Sequence, residues 1–223
     1  METEVKLRFK DKDSLYDLMN SDVFRRIAGG DMISEPLLLE NTYIDTKTMN
    51  ISERGGMIRV RHYKSSDTDR YEFTVKYGGS VTEGLHKRYE WNVKSDDGVF
   101  SIEYFMNNLD KNEDSADILG EVFGDLTDDD LTVLCSNSFY RTEYEFNYKE
   151  TTVMACFDSG IIKSSDGSRT DEICELELEM ISGHVEDLNE LADYFISNSG
   201  CVPFDRTKYR RTLDIIVGDR NGK

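Results

Sequence analysis

Charged and apolar residues alternate with period two in segment after segment, and this pattern constrains the chain more than any other feature. In residues 2–9, Glu2, Glu4, Lys6 and Arg8 fall on one side of an extended strand, and Thr3, Val5, Leu7 and Phe9 on the other. Arg59 and Arg61 oppose Ile58 and Val60, while Glu72, Thr74 and Lys76 oppose Phe73, Val75 and Tyr77. Arg88, Glu90 and Asn92 oppose Tyr89, Trp91 and Val93. Arg141, Glu143 and Glu145 stand against Tyr144 and Phe146, and Glu175, Glu177 and Glu179 against Leu176, Leu178 and Met180. A further strand ends near Asp158, and others are expected over 37–44 and 209–217. Short turns such as GGSVTEG (78–84) and SSDGSR (164–169) join them. About eight or nine such strands at this spacing predict a barrel or a strongly curved antiparallel sheet.

Helical signals are fewer. A helix is expected over 14–27, ended by Gly29 and Gly30. A second, over 185–198, carries Val185, Leu188, Leu191, Ala192, Phe195 and Ile196 on one stripe, with Gly200 just beyond it. Shorter helices are expected over 101–108 and 115–123. With only two prolines and no Pro-, Gly- or Ser-rich linker, residues 1–223 read as a single domain with an acidic insertion at about 95–130.

Acidic residues number 45 against 27 basic, a net charge of −18, which argues against nucleic-acid partners and anionic membranes. No run of 18 apolar residues predicts a membrane span. The charged opening METEVKLRF shows no secretory signal. Cys135, Cys156, Cys174 and Cys201 match no zinc or redox spacing, so free thiols in the cytoplasm are expected. His62, His86 and His184 lie in different elements without ligand spacing and read as structural or surface residues. The oligomeric state is left open.

The charged face is what carries chemistry. Glu175, Glu177 and Glu179 share one side of a strand, as do Glu2 and Glu4, and Arg59 and Arg61. Two carboxylates about 5 Å apart repel by roughly 3 kcal/mol at an effective dielectric of 20. A cation between them reverses that sign. If the amphipathic helices cover the apolar faces from outside, the charged faces point inward. Such a lumen holds carboxylates, which bind hard cations such as Mg²⁺ or Mn²⁺, beside Lys and Arg, which bind phosphate oxygens.

Glu2-x-Glu4-x-Lys6 resembles the E-x-E-x-K signature of the CYTH domain, the triphosphate tunnel metalloenzymes. Arg59-x-Arg61, Lys76, Arg88-x-Glu90, Arg141, Asp158, the Glu175–Glu179 alternation and Lys208 follow in the family's order. The strings GLHKRYEWNV (84–93), NSFYRTEYEF (137–146) and ICELELEMISG (173–183) are similar to the bacterial inorganic triphosphatases. Those often carry a further helical CHAD domain, which is not expected within these 223 residues.

The resemblance implies an α+β fold, mainly antiparallel β: an eight-stranded closed tunnel with a charged lumen and helices packed outside. It implies metal ligands among Glu2, Glu4, Asp158, Glu175, Glu177 and Glu179, holding Mg²⁺ or Mn²⁺. It implies a triphosphate-gripping set of Lys6, Arg59, Arg61, Lys76, Arg88, Arg141, Lys208 and Arg211, with Arg210 competing with Arg211. Catalysis would fall to Glu4, Lys6, Lys76 and Glu90. The implied reaction is hydrolysis of inorganic triphosphate to pyrophosphate and phosphate. The alternatives are a class IV adenylate cyclase, a nucleoside or thiamine triphosphatase, and a non-catalytic nucleotide or polyphosphate binder.

Overall fold

The computed structural model describes residues 1–29, 35–64, 69–110, 115–164 and 168–217. The period-two segments pair into one antiparallel sheet. Its strands are β1 (Glu2–Arg8), β2 (Leu37–Thr46), β3 (Gly56–Lys64), β4 (Asp69–Thr82), β5 (Leu85–Ser95), β6 (Leu131–Tyr148), β7 (Thr151–Lys163) and β8 (Thr170–Ser182). The order is β5-β4-β3-β2-β6-β7-β8-β1, and pairing of β1 with β5 closes an eight-stranded barrel. A two-residue strand, β9 (Val202–Pro203), lies along the end of β1. The register puts Glu4 opposite Glu179, Lys6 opposite Glu177, and Glu2 opposite Arg88. One face of each strand therefore forms a single charged lumen.

The apolar faces point outward and are covered by helices. On one side lie α1 (Lys12–Asn20), α2 (Asp22–Ala28) and α6 (Val185–Ser199), which bury Leu15, Phe24, Leu188, Leu191 and Phe195 against Leu7, Leu176 and Leu178. Phe24 makes edge contacts with Tyr144, Phe146 and Phe157 at ring centroid distances of 5.0, 5.9 and 5.0 Å. Elsewhere on the wall, α3 (Asn50–Glu53), α4 (Ile102–Asn108) and α5 (Ser115–Phe123) cover Phe73, Val75 and Trp91 with Ile51, Phe105 and Leu119. Fully burying one such side chain contributes about 1.5–3 kcal/mol. The acidic segment at 95–130 thus donates the apolar faces of α4 and α5 to the second core, and its carboxylates among the described residues are exposed.

Three local expectations change. The helix expected over 14–27 is two helices, because Ser21 accepts Phe24 N–H through Oγ at 3.0 Å and starts a new one. The turn lies at the end of GGSVTEG and not at its first two glycines. Gly78 and Gly79 form a bulge in β4, where a Cβ on Gly79 would lie 2.1 Å from the Lys87 carbonyl oxygen. The turn itself is Glu83 and Gly84, both at positive φ (51° and 83°). The strand expected over 209–217 is a helix, α7 (Lys208–Val217). Its Lys208, Arg211, Thr212 and Ile215 recur at helical spacing, and packing across one mouth of the barrel overrides the β-branched run. Leu213 packs on Tyr43 and Cys135, and Ile215 on Leu39, Phe139, Ile162 and Ile173.

Candidate functional site

A cavity of about 520 Å³ occupies the lumen. Three of its carboxylates converge. Oxygens of Glu2 and Glu4 on β1 and Glu179 on β8 lie within 4.8 Å of one another. The β1–β8 register explains the meeting of Glu4 with Glu179, and the two-residue repeat brings Glu2 to the same side. Burial, reinforced by Glu90 and Glu4 and opposed by Lys76, pushes the Glu2 carboxyl up to about 7. Burial, with Glu4 and Glu177 adding to it and Arg141 opposing, pushes Glu179 up to about 7. Burial acts on Glu4 as well, but Lys6 and Arg88 outweigh it and hold that carboxyl below its ordinary value. The donor set is three carboxylates, hard oxygen ligands that suit a hard divalent cation.

Most of the basic side chains are already matched with carboxylates. Lys76 donates to both oxygens of Glu2 at 2.9 Å and also pairs with Glu90. Arg88 donates to Glu2 at 2.9 Å and to Glu4 at 2.8 Å. Lys6 lies 3.2 Å from Glu177 and 3.7 Å from Glu4. Burial disfavours ionised Glu90, yet Lys76 keeps its carboxyl well below the ordinary range. Glu177 is likewise held well below that range, against burial, by Lys208, Lys6 and Arg141.

Arg59 and Arg61 differ. Among the described residues, neither forms a salt bridge with a carboxylate. Arg59 Nη2 donates to Thr74 Oγ1 at 2.8 Å, and its Nε is buried without a hydrogen-bond partner. Arg61 Nε donates to Asn41 Oδ1 at 2.9 Å. Burial and then the neighbouring Arg61 hold Arg59 below its ordinary value, so an anion brought to this pair is favoured by both guanidiniums.

Behind the cavity lies a buried ion cluster. Asp158, fully buried, accepts from Arg141 Nε and Nη2 at 2.7 Å each and lies 2.7 Å from Lys208 Nζ. Lys208 also meets Glu175 at 2.8 Å and Glu177 at 2.7 Å. Arg211 is occupied by Glu175, by Asp171 at 2.6 Å and by the Glu172 carbonyl oxygen at 2.5 Å. Glu2, Glu4, Lys6, Lys76, Arg88 and Glu90 all line the cavity, as do Arg59, Arg61, Arg141, Glu177, Glu179 and Lys208. Asp158, Glu175 and Arg211 do not, whereas Arg210 does, at the rim. Gly160 has a hand in this arrangement: a Cβ there would come 2.6 Å from Phe139 Cβ. The Phe139 ring instead lies beneath Lys208, whose Nζ is 5.1 Å from its centroid.

Tyr43, Tyr63, Glu72, Asn92 and Glu143 also line the cavity. Strand parity could have found Glu72, Asn92 and Glu143, since they share a face with the site residues. Tyr43, opposite Arg59 in the register, carries no charge to mark it. His86, buried at 1% exposure, lies across from Glu4 with Nε2 against the Phe204 carbonyl oxygen at 3.2 Å.

A relative from Haemophilus influenzae, an inorganic triphosphatase, is 26% identical over 173 residues, which are 78% of this chain but 42% of that protein. The chain therefore spans less than half the length of that relative. Among solved structures, a proposed adenylyl cyclase from Hippeastrum, described as having a dominant triphosphatase activity, superposes with a TM-score of 0.64 at 15% identity. The match covers 95% of each chain. A proposed adenylate cyclase from Bacillus halodurans gives 0.56 at 16% identity, covering 95% of this chain and 96% of its own. The two solved structures share this chain's fold. The family profile described as CYTH domain matches residues 1–212, and the chain belongs to that family.

Proposed function

We propose that this chain hydrolyses inorganic triphosphate to pyrophosphate and phosphate inside the barrel. The observation that carries this reading is the division of the cavity between three converging carboxylates and two guanidiniums with no carboxylate partner. Arg59 and Arg61 bind and orient the polyanion. Lys6, Lys76, Arg88, Arg141 and Lys208, held in place by their carboxylates, supply the rest of the positive wall. Glu2, Glu4 and Glu179 are the residues that would hold Mg²⁺ or Mn²⁺, which when bound neutralises phosphate charge and eases ionisation of water. A water attacks the terminal phosphorus in line, and pyrophosphate leaves. Negative charge grows on the phosphate oxygens during this step, and donors fixed beforehand stabilise it without reorganising. Glu90, ionised, keeps the Lys76 ammonium aimed into the cavity. In this reading Asp158, Glu175 and Arg211 act as positioning residues for Arg141 and Lys208.

The test is phosphate release from tripolyphosphate, ATP and thiamine triphosphate, each with Mg²⁺, Mn²⁺ or chelator. Metal-dependent release that strongly favours tripolyphosphate supports the proposal. Release from ATP alone moves the activity to nucleotides, and cyclic AMP formation moves it to a cyclase. Tight binding of tripolyphosphate without turnover in either metal makes the tunnel a binder.

A further inference from the structure

Four hydrogen bonds run in one direction from an anion-facing guanidinium to the backbone of the capping helix. Arg61 Nε donates to Asn41 Oδ1 (2.9 Å) and Asn41 Nδ2 donates to Asn137 Oδ1 (3.0 Å). Asn137 Nδ2 donates to Thr212 Oγ1 (2.7 Å), and the Thr212 hydroxyl donates to the Lys208 carbonyl oxygen (2.7 Å). Arg61, Asn41, Asn137 and Thr212 are all at most 7% exposed. The register brings them into line, since Asn41 faces Arg61 on β3 and Asn137 on β6. Chemistry fixes the direction. A guanidinium only donates, so Asn41 must turn its carbonyl oxygen to Arg61, which leaves its amide nitrogen for Asn137, and so on along the chain.

Stability alone does not call for this arrangement. The same stretch of lumen beneath α7 holds an apolar cluster of Leu39, Phe139, Ile162 and Ile173. Buried amides among such neighbours are tolerated only when every member finds its partner. Carboxylates orient Lys76, Arg88 and Arg141, and Arg61 has Asn41 in that place. The far end of the ladder is one helical turn from Lys208, whose ammonium enters the lumen.

We infer that Asn41, Asn137 and Thr212 are positioning residues that lock the Arg61 guanidinium to α7, so that Arg61 and Lys208 meet the polyanion in one fixed spacing. This rests on the reading of the cavity as a triphosphate site. Asn137 and Thr212 themselves touch no substrate in it.

The experiment compares Asn137→Leu, Thr212→Val, Thr212→Ser and the Asn137→Leu/Thr212→Val double variant. Tripolyphosphate Kd is measured calorimetrically in chelator, and KM and kcat are measured with Mg²⁺. Each link-breaking variant should raise Kd and KM about threefold to tenfold, the weight of one hydrogen bond between neutral groups, with kcat changing much less. The double variant should be no worse than either single, because a broken chain cannot be broken twice. Thr212→Ser, which keeps the hydroxyl, should retain wild-type values. If Asn137→Leu does not fold, the Thr212 pair still decides. Wild-type Kd and KM in Thr212→Val, or additive effects in the double variant, would overturn the inference while leaving the triphosphate reading intact. A wild-type protein that neither binds nor cleaves tripolyphosphate sinks both.

Discussion

Replacing Asp158 with Asn tests whether the buried cluster is scaffolding or metal site. Asp158 has no exposed surface and meets Arg141 through two hydrogen bonds of 2.7 Å and Lys208 through a contact of the same length. Removing one partner of a buried ion pair costs about 3–5 kcal/mol. The lower end applies here, because neither cation is stranded: Arg141 keeps Glu177 at 2.5 Å, and Lys208 keeps Glu175 and Glu177. For a domain of this size each kcal/mol moves Tm by about 2–4 °C. Asp158→Asn should therefore melt roughly 6–12 °C below wild type in a calorimetric scan without metal. Its affinity for Mn²⁺, read by the loss of the free-ion signal in electron paramagnetic resonance, should be nearly unchanged, since Asp158 is not one of the converging carboxylates and reaches Glu179 only through Arg141, 3.5 Å from it. An unchanged Tm together with a tenfold loss of Mn²⁺ affinity would refute the reasoning and make Asp158 a ligand.

Four further outcomes are expected. Glu4→Gln, or Lys76→Ala, should fold but lose on the order of 10²-fold or more in turnover of tripolyphosphate, measured as phosphate release, and near wild-type rates would remove that residue from the site. The Glu2 and Glu179 carboxyls lie at about 7, above the ordinary 4.5, so protons compete with the metal below neutrality, and apparent Mn²⁺ affinity should climb as pH rises from 6 to 8. The same upward shift means the metal-free fold holds protons that the unfolded chain has shed. That part of its stability should thus be lost as pH rises from about 4.5 through 7, against the opposite effect of buried His86, and regained on adding Mn²⁺; a Glu2→Gln variant whose melting follows the wild-type pH course would contradict it. Phe24→Ala, in the helical core outside the barrel, should cost about 3–5 kcal/mol in denaturant unfolding while leaving KM unchanged, and a raised KM would show that this core reaches the cavity.

Parity made the barrel legible. Once Glu2, Glu4 and Lys6 are on one face and Val5, Leu7 and Phe9 on the other, helices such as α6 must cover the second face, and the charges turn inward. The E-x-E-x-K opening marked two of the three converging carboxylates, and the Glu175–Glu179 alternation supplied the third. Alternation gives side, not depth along the tunnel, so it could not separate Glu179, beside Glu4, from Glu175, which is consumed by Lys208 and Arg211. Nor could it place α7. Thr212, Ile215, Ile216 and Val217 favour a strand locally, and only the barrel mouth, which exists once the sheet has closed, selects the helix. Asn41 and Asn137 were invisible for a different reason. An uncharged amide on a strand gives no signal until its partner, far away in sequence, is known.

Closing the barrel through β1 has a consequence for the order in which a growing chain can assemble. β1 is made before the other strands of the barrel, but its long neighbours are β5 and β8, and Lys6 has to wait for Glu177. At roughly 5–20 residues per second, the rest of the barrel takes on the order of ten seconds or more to be made. Until β8 is made, one edge of β1 lacks its partner, and Glu2, Glu4 and Lys6 share a face that is not yet part of a lumen. The lumen comes into being only when the last long strand arrives, so a nascent chain carries the signature of the site without the site, and a truncation anywhere before β8 leaves Glu4 without Glu179.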